Sequence, residues 1–349
     1  MEKNPFTLMY GITARSVVRR DEEIERVLKS FLYDENIFTF LITGIRGTGK
    51  TVLLKTLENE LERQPGWIVV TINPQGDIIR SLANRLLKLE VVQNELKKWK
   101  ISINIGLLSL TRENNTIEND PEIIVEDILN KLASIGIRVL ISIDEVNETK
   151  SFKEFINLYQ MLIGKDMRLY LLMTALKENV GGLTGDKSMT FLTRAPKIEL
   201  EPLYLSNIAL EYRETLHIDM DLAIEMAKLT NGYAFAFQVL GYLFFERKET
   251  TVNDNLIAAY DKYIWNNGYN KFWRELTDKE HQFLIGMAAS KSKDRSDIIA
   301  NSSMNPSMYS VYRERLLDRG LIQSVSFGKL DFTLPRFDIF IGVVKEFDR

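Results

Sequence analysis

The segment Gly44–Thr51 reads GIRGTGKT and has the spacing G-x-x-x-x-G-K-[ST] of a phosphate-binding loop. Glycine permits the positive φ angles and the close backbone approach that a loop wrapped round phosphate requires. The N–H groups of such a loop, with the N-terminus of the following helix, attract an anion. Lys50 is expected to reach the β- and γ-phosphates, and the Thr51 hydroxyl to bind Mg²⁺. This phosphate loop therefore predicts binding of ATP or ADP with Mg²⁺. The expected nucleotide contacts are Gly44, Arg46, Gly47, Thr48, Gly49, Lys50, Thr51 and Val52.

Two acids, Asp144 and Glu145, follow the apolar run Val139–Ile143. Such a run predicts a buried strand, and ligands of an open parallel sheet gather at the carboxyl ends of its strands. We expect Asp144 to bind Mg²⁺, directly or through water, and Glu145 to orient and deprotonate an attacking water. The alternative is a pair of capping acids in a strand-to-helix loop, which the phosphate loop in the same chain disfavours.

Composition excludes several other kinds of site. The 349 residues include no cysteine, which removes disulfides, thiolate metal ligands and cysteine nucleophiles. His217 and His281 are far apart in the sequence and predict neither a histidine metal site nor a Ser-His-Asp triad. The net charge of −3 confines any basic surface to a local patch. No run approaches the roughly 18 apolar residues of a membrane span, and the N-terminus lacks the apolar core of a signal peptide. We therefore expect a cytoplasmic protein without a membrane partner.

Alternating strand and helix patterns predict an α/β fold with a parallel five-stranded core and helices on both faces. The segment Ile101–Leu110 predicts an inserted strand or hairpin, and the polar residues 111–122 predict an exposed loop. Pro121 fits the first turn of a helix that ends near Ile135. The core strands are predicted at Phe38–Ile42, Trp67–Ile72, Val139–Ile143, Leu169–Ala175 and Lys197–Leu200.

The pattern changes after Leu203, where helical periodicity without strand signals continues for about seventy residues. From about Leu276, where Thr277 is the expected N-cap of the first helix, helix, helix, turn, helix and hairpin follow in the order of a winged helix-turn-helix. On the predicted recognition helix, one face is expected to pack in the core and the opposite face to point outward. The core face comprises Met308, Val311, Tyr312 and Leu316, and the outward face comprises Ser307, Tyr309, Ser310 and Arg313.

With these motifs in place, nearly the whole chain resembles the AAA+ ATPases of the origin-initiator (Orc/Cdc-like) and STAND branch. In particular it is similar to bacterial and archaeal ATP-binding proteins with a C-terminal winged helix. The motifs that carry the resemblance are the phosphate loop and LISIDE, residues 140–145, with weaker matches such as NGYAFAFQVLGY and YRERLLDRGLI. The resemblance implies an AAA+ ATPase core over residues 1–203, a helical lid over 204–273 and a winged helix-turn-helix domain over 274–349.

The resemblance also implies roles for single residues. Arg20 and Asp21 match the entry motif near adenine, with Arg19 where that motif usually has glycine. Thr174 matches the sensor-1 polar residue near the γ-phosphate. Arg194 matches the arginine finger, which stabilises transition-state charge, often from a neighbouring subunit. The alternatives are a strand-end hydroxyl for Thr174 and a surface arginine for Arg194. In NGYAFA, which resembles the nucleotide-contacting turn of STAND proteins, Ala234 occupies the usual proline position.

Two functional hypotheses remain open at this point. In the first, the chain is a Mg²⁺-dependent ATPase that acts as a nucleotide switch and passes its output to double-stranded DNA through the winged helix. In the second, it is a STAND-type scaffold with slow turnover, alone or assembled with itself, whose winged helix packs on the core or binds a protein. A basic stripe would favour DNA, and exposed apolar side chains would favour a protein. Residues 291–349 hold ten basic and eight acidic side chains, and the DNA-contact candidates are Ser307, Ser310, Arg313 and Lys329.

Overall fold

The structure is a computed structural model and describes residues 3–9, 14–34, 36–98, 101–104, 109–112, 115–118, 120–165, 167–185 and 189–347. Its contacts divide the chain into two compact units. We call the first the sheet unit, formed by residues 20–43 and 50–199. We call the second the helical unit, formed by residues 1–19, 44–49 and 200–349.

The sheet unit is built on a five-stranded parallel sheet in the order β2-β6-β7-β1-β8, which confirms the predicted fold class. Strands β6 and β7 are buried along nearly their whole length, because successive side chains point to opposite faces and both faces are covered. Strand β7 lies between β1 and β6, so it neighbours both motif-bearing strands. The strands are β1 (Thr39–Gly44), β2 (Trp67–Ile72), β6 (Arg138–Ile143), β7 (Leu169–Leu176) and β8 (Lys197–Glu199).

Three helices of the sheet unit begin at residues whose side chains cap them. The side chains of Asp77 and Thr149 accept hydrogen bonds from backbone N–H groups of the first helical turn that follows each of them. Pro121 occupies the first turn of its helix, as predicted. These helices are α1 (Asp21–Tyr33), α2 (Lys50–Glu62), α3 (Ile78–Lys88), α4 (Glu90–Lys98), α5 (Pro121–Ser134), α6 (Lys150–Ile163), α7 (Val180–Gly185) and α8 (Thr190–Arg194).

A small antiparallel sheet is inserted between β2 and β6 in the chain. It consists of β3 (Ile101–Asn104), β4 (Ser109–Arg112) and β5 (Asn115–Glu118). The predicted hairpin is confirmed, but the prediction of a loop over residues 111–122 is wrong for residues 111–112 of β4, for β5 and for residues 121–122, which begin α5. A ladder uses main-chain groups, so a polar segment can pair with the open edge of a strand. Residues 113, 114 and 119 of that segment lie outside the described residues.

The helical unit begins its long segment with five helices and a π-helical turn. Tyr212 and Phe237 are buried there with their ring centroids 4.8 Å apart, and the Tyr212 hydroxyl donates a 2.7 Å hydrogen bond to the Phe237 carbonyl. The elements are α9 (Leu205–Leu216), α10 (Met220–Thr230), α11 (Ala234–Arg247), α12 (Asp254–Ile264), the π-helical turn Trp265–Tyr269 and α13 (Asn270–Arg274).

The rest of the helical unit has the element order of a winged helix-turn-helix. Thr277 and Glu280 form a capping box at the start of its first helix, where Thr277 was the predicted N-cap. The two strands pair antiparallel around Phe327 and Gly328. The elements are α14 (Asp278–Ala289), α15 (Arg295–Ser302), α16 (Pro306–Asp318), β9 (Ile322–Ser326), β10 (Lys329–Phe332) and α17 (Phe337–Phe347).

The predicted faces of α16 are wrong at two positions. Tyr309 was expected to point outward, but it is buried and stacks on Phe283 with ring centroids 5.2 Å apart. Val311 was expected in the core, but it is 48% exposed. Both faces of the helix carry apolar side chains, so the periodicity did not discriminate between them. The larger ring takes the interior position because it removes more apolar area from water.

Polar contacts tie the segment after β10 to the preceding helices. The carboxylate of Asp261 on α12 accepts hydrogen bonds from Arg336 Nε at 2.6 Å and Nη2 at 2.7 Å. The Tyr269 hydroxyl donates to the Pro335 carbonyl at 2.7 Å. Asn231 Nδ2 donates to the Thr333 carbonyl at 3.3 Å. Within the helical unit, therefore, the winged-helix elements and the helices before them are joined by specific hydrogen bonds.

Among the described residues, no helix is both long enough and apolar enough to cross a membrane.

Candidate functional site

The phosphate loop lies between β1 and α2, as its sequence predicts. Gly47 and Gly49 adopt φ angles of 78° and 95°, in the left-handed region that glycine occupies without strain. The Thr48 hydroxyl donates to the Ile45 carbonyl at 2.9 Å and closes the loop on itself. Lys50 is the first residue of α2 and is buried. The backbone thus has the glycine-dependent path and the helix N-terminus that phosphate binding requires.

Two threonine hydroxyls hold the carboxylate of Asp144. Thr51 Oγ1 on α2 donates to Asp144 Oδ2 at 2.7 Å, and Thr174 Oγ1 on β7 donates to Asp144 Oδ1 at 2.5 Å. These three residues come from three separate segments of the sheet unit, at the carboxyl ends of β6 and β7 and the start of α2. The structure therefore brings Asp144 together with both hydroxyls that the sequence singled out.

Glu145 is held by its backbone, whereas its side chain is exposed. Its φ angle is 58°, in the left-handed region that a non-glycine residue rarely adopts. The Glu145 N–H donates to Thr174 Oγ1 at 2.7 Å, and the next residue, Val146, donates its N–H to the Thr174 carbonyl at 2.8 Å. Thr174 therefore fixes the conformation of the residue that we expect to act as the base.

The mutation Thr174→Val should remove the hydroxyl that donates to Asp144 Oδ1 and accepts from the Glu145 N–H. We expect a loss of about 1–3 kcal/mol in the free energy of unfolding, since Thr174 is buried. Denaturant unfolding measures this loss. Thr39→Val is the matched control, because Thr39 is a buried sheet threonine that hydrogen-bonds the Tyr159 hydroxyl at 2.9 Å. Both variants should lose stability, but only Thr174→Val should also lose ATP turnover. Equal turnover in the two variants would contradict a role in the site.

Glu58 is a further acid near the site that the sequence reasoning missed. Its carboxylate accepts hydrogen bonds from the Ser142 hydroxyl on β6 and from Thr71 Oγ1 on β2, the latter at 3.3 Å. Burial raises the pKa of Glu58, and the negative charge of Asp144 raises it further. The spacing could have revealed it, because Glu58 follows Thr51 by two helical turns and so shares its face of α2.

The residues fit a Mg²⁺ ion. Mg²⁺ takes oxygen ligands at 2.0–2.1 Å in an octahedron, which separates neighbouring ligands by about 2.9 Å. Thr51 Oγ1 and Asp144 Oδ2 are 2.7 Å apart, close to that separation. The described residues contain no group of three or more acids, histidines or cysteines that could hold a metal ion. Magnesium sites commonly use one or two carboxylates and complete their shell with substrate phosphates and water.

The remaining site predictions fall at the start of α1 and the end of α8. Arg20 precedes α1 and its Nη1 pairs with Glu23 Oε1 at 3.2 Å, while Asp21 begins the helix and is exposed. Arg194 ends α8 immediately before β8 and is exposed. An exposed position is the one that an arginine acting on a neighbouring subunit would need, but it is also the position of an ordinary surface arginine.

The four DNA-contact candidates lie on the recognition helix and the wing. Ser307 and Ser310 are exposed on α16, and Lys329 is exposed at the start of β10. Arg313 is half-buried, and its Nη2 donates to Ser324 Oγ on β9 at 2.8 Å. Three of the four side chains are therefore exposed, and the fourth, that of Arg313, is hydrogen-bonded to the wing.

Comparison with protein-family models gives two matches. Residues 39–177 match an AAA domain, and this range runs from β1 through β7 and includes the phosphate loop, Asp144 and Thr174. Residues 266–341 match a domain of unknown function (DUF8462), a range that includes α14 to α16 and the wing. A search of curated protein sequences found no match.

Comparison with solved structures gives matches along almost the whole chain. A Walker-type ATPase of Pyrococcus abyssi superposes with a TM-score of 0.64 at 17% identity, over 96% of this chain and 100% of that chain. The ORC2 protein of Aeropyrum pernix, solved in ADPNP–ADP complexes, superposes with a TM-score of 0.62 at 13% identity, over 97% of this chain and 96% of that chain. At these identities the likeness concerns the fold.

Proposed function

We propose that the chain, whose residues 39–177 match an AAA domain and whose fold is that of Orc/Cdc-like AAA+ P-loop ATPases, binds ATP with Mg²⁺ and hydrolyses it to ADP and phosphate. The observation that carries this proposal is the pair of hydrogen bonds from Thr51 and Thr174 to Asp144. A phosphate-loop hydroxyl and a strand-end carboxylate in contact form the metal side of such a site.

Each residue of the site has a distinct task in the proposed reaction. The loop N–H groups and Lys50 bind the β- and γ-phosphates, while Thr51 and Asp144 hold Mg²⁺. Bound Mg²⁺ neutralises charge on the phosphate oxygens. Glu145 orients the attacking water and takes its proton. Arg194 is proposed to stabilise transition-state charge from a neighbouring subunit, and Arg20 and Asp21 to contact adenine.

Nucleotide binding and turnover are tested separately. Titration calorimetry with MgATP and MgADP measures affinity, and phosphate release measures turnover. The ORC2 protein of Aeropyrum pernix binds ADPNP and ADP, which supports trying both ligand states. Saturable binding that requires Mg²⁺ would support the proposal. No binding of either nucleotide would overturn the proposal. Binding without turnover would instead favour a scaffold that is controlled by the bound nucleotide.

We further propose that the core over residues 1–203 and the lid over 204–273 form a switch whose output is DNA binding by the winged helix over 274–349. The element order α14, α15, α16 and hairpin supports this proposal, because such a module places its recognition helix in the major groove. Exposed Ser307, Ser310 and Lys329 offer phosphate or base contacts.

A protein partner for the winged helix is the second candidate, and the exposed apolar side chains of the recognition helix and wing favour it. Phe327 at the hairpin turn is fully exposed, Val325 on β9 is 55% exposed and Val311 on α16 is 48% exposed. A contiguous exposed apolar patch is typical of a surface that binds another protein.

Binding of labelled duplex DNA at two salt concentrations, with ATP, with ADP and without nucleotide, separates these two outputs. Binding through phosphates weakens as salt rises, and the slope falls when a basic contact is removed. Lys329→Ala should therefore reduce DNA affinity and the salt slope. Absence of DNA binding in every nucleotide state would favour the protein partner, and Phe327→Ala would then be the variant with which to test it.

A further inference from the structure

Two carbonyl groups of the phosphate loop accept hydrogen bonds from the N-terminal end of α11, where Tyr233 is the N-cap and Phe235 lies in the first turn. The Tyr233 hydroxyl donates to the Arg46 carbonyl at 2.8 Å, and the Phe235 N–H donates to the Gly47 carbonyl at 3.0 Å. All four residues belong to the helical unit. The sequence reasoning placed this turn near a nucleotide by resemblance, but it did not identify the loop carbonyls as partners.

Gly47 leaves the space that Tyr233 occupies. A Cβ atom at residue 47 would lie 2.3 Å from the Tyr233 hydroxyl oxygen and 2.8 Å from the adjoining ring carbon, far inside contact distance. Tyr233 itself is 4% exposed. The loop glycine therefore serves two purposes, since it provides the left-handed backbone and also admits the tyrosine.

The turn that carries Tyr233 is fixed on the side away from the loop. Asn231 and Gly232 both adopt left-handed φ angles, of 46° and 76°. The Leu203 N–H donates to the Gly232 carbonyl at 2.8 Å, and a Cβ on Gly232 would meet the Leu203 carbonyl at 2.6 Å. Asn231 Nδ2 donates to the Thr333 carbonyl beyond β10. The Tyr233 ring is thus anchored to a backbone that has little freedom to move.

Peptide geometry connects this anchor to phosphate binding. In a trans peptide the C=O and N–H groups point in opposite directions. The Arg46 carbonyl shares its peptide with the Gly47 N–H, and the Gly47 carbonyl shares its peptide with the Thr48 N–H. Donors that hold both carbonyls therefore direct both N–H groups to the opposite side of the loop. A carbonyl that accepts a hydrogen bond also polarises the N–H of its peptide and makes it a stronger donor.

We propose that Tyr233 is a positioning residue. By holding the loop carbonyls on one side of the phosphate loop, it orients the loop N–H groups on the other side toward the nucleotide phosphates. This inference rests on the proposed nucleotide binding and adds a residue outside the motif to it. Tyr233 acts through the loop peptides, and Phe235 acts in the same way with its backbone N–H. Because the same turn bonds the Thr333 carbonyl through Asn231, it also links the loop to the segment beyond the wing.

The test compares Tyr233→Phe with Tyr212→Phe. Each variant removes one tyrosine hydroxyl that donates to a backbone carbonyl inside the helical unit, and Tyr212 bonds Phe237 within the core rather than the loop. We expect Tyr233→Phe to weaken MgATP and MgADP binding about 3- to 10-fold, the effect of one lost hydrogen bond. KM should rise by a similar factor with kcat nearly unchanged, since the bound substrate and the transition state lose the same stabilisation from the loop N–H groups. Tyr212→Phe should stay within about twofold of the wild type.

Three distinct outcomes would each overturn a different claim. Wild-type affinity in Tyr233→Phe would overturn the positioning role alone. An equal loss in Tyr212→Phe would assign the effect to general stability, which the melting temperatures of the nucleotide-free proteins would also show. No nucleotide binding by the wild type would overturn the proposed function itself. If Tyr212→Phe does not fold, Tyr260→Phe replaces it, because its hydroxyl donates to the Leu229 carbonyl at 3.1 Å.

Discussion

Replacing Lys50 by alanine is expected to weaken ATP and ADP binding about 10- to 100-fold, because a charge-assisted contact to phosphate contributes about 1.5–3 kcal/mol. Lys50 is buried at the first residue of α2, so its ammonium group is partly removed from solvent. A buried ammonium interacts more strongly with phosphate than an exposed one, since water screens it less. Turnover should fall at least as much as affinity, because the γ-phosphate loses its cation in the transition state.

The matched control for this experiment is Lys88→Ala, which removes an equal charge from an exposed position in the last turn of α3. Titration calorimetry on both variants measures the affinities, and thermal unfolding without nucleotide checks that each is folded. Affinity in Lys50→Ala within a factor of two of the wild type would be incompatible with a phosphate-binding role for residues 44–51.

Glu145→Gln is expected to retain ATP binding and to lower turnover about 10²- to 10⁴-fold, the usual contribution of a general base. Glutamine has the shape of glutamate but takes up no proton. The substitution does not alter the main chain, so the N–H of residue 145 should keep its 2.7 Å hydrogen bond to Thr174. The left-handed backbone conformation should therefore be retained. The change therefore isolates the chemistry of the carboxylate from its structural surroundings.

Glu148→Gln serves as the control, since it removes the same charge three residues later, where Glu148 Oε1 pairs with Lys153 Nζ at 2.8 Å on the surface. Phosphate release and MgATP affinity are measured for both. Loss of ATP binding in Glu145→Gln would give Glu145 a structural role rather than that of the base. Normal turnover would move the base to another residue.

Local sequence patterns were sufficient for the elements that bear the motifs. The run Val139–Ile143 predicted β6 because a strand covered on both faces must be apolar throughout. Pro121 predicted the start of α5, and Thr277 predicted the cap of α14, because both act on the backbone within their own first turn. Such signals lie within a few residues of the structure they specify, so one chain is enough to find them.

The wrong predictions concern segments whose local sequence fits two different conformations. Periodicity allowed either Tyr309 or Val311 on the buried face of α16, and stacking on Phe283, 26 residues earlier in the chain, selected Tyr309. Residues 115–118 have a polar composition that suits a loop, yet pairing with β4 makes them a strand. In both cases the deciding partner lies outside the segment on which the prediction was made.

The sequence by itself determined the kind of chemistry, because the residues of the phosphate loop and the acids after β6 act through types and spacings that are visible in one segment. Only the tertiary structure showed which residues hydrogen-bond to them, including the contact of Thr174, which the resemblance had already singled out. Thr174 is 30 residues from Asp144, and Tyr233 is 187 residues from Arg46. Glu58 is 84 residues from the Ser142 hydroxyl that donates to it. Hydrogen bonds depend on distance and angle in space, and no periodicity along the chain records contacts that only folding creates.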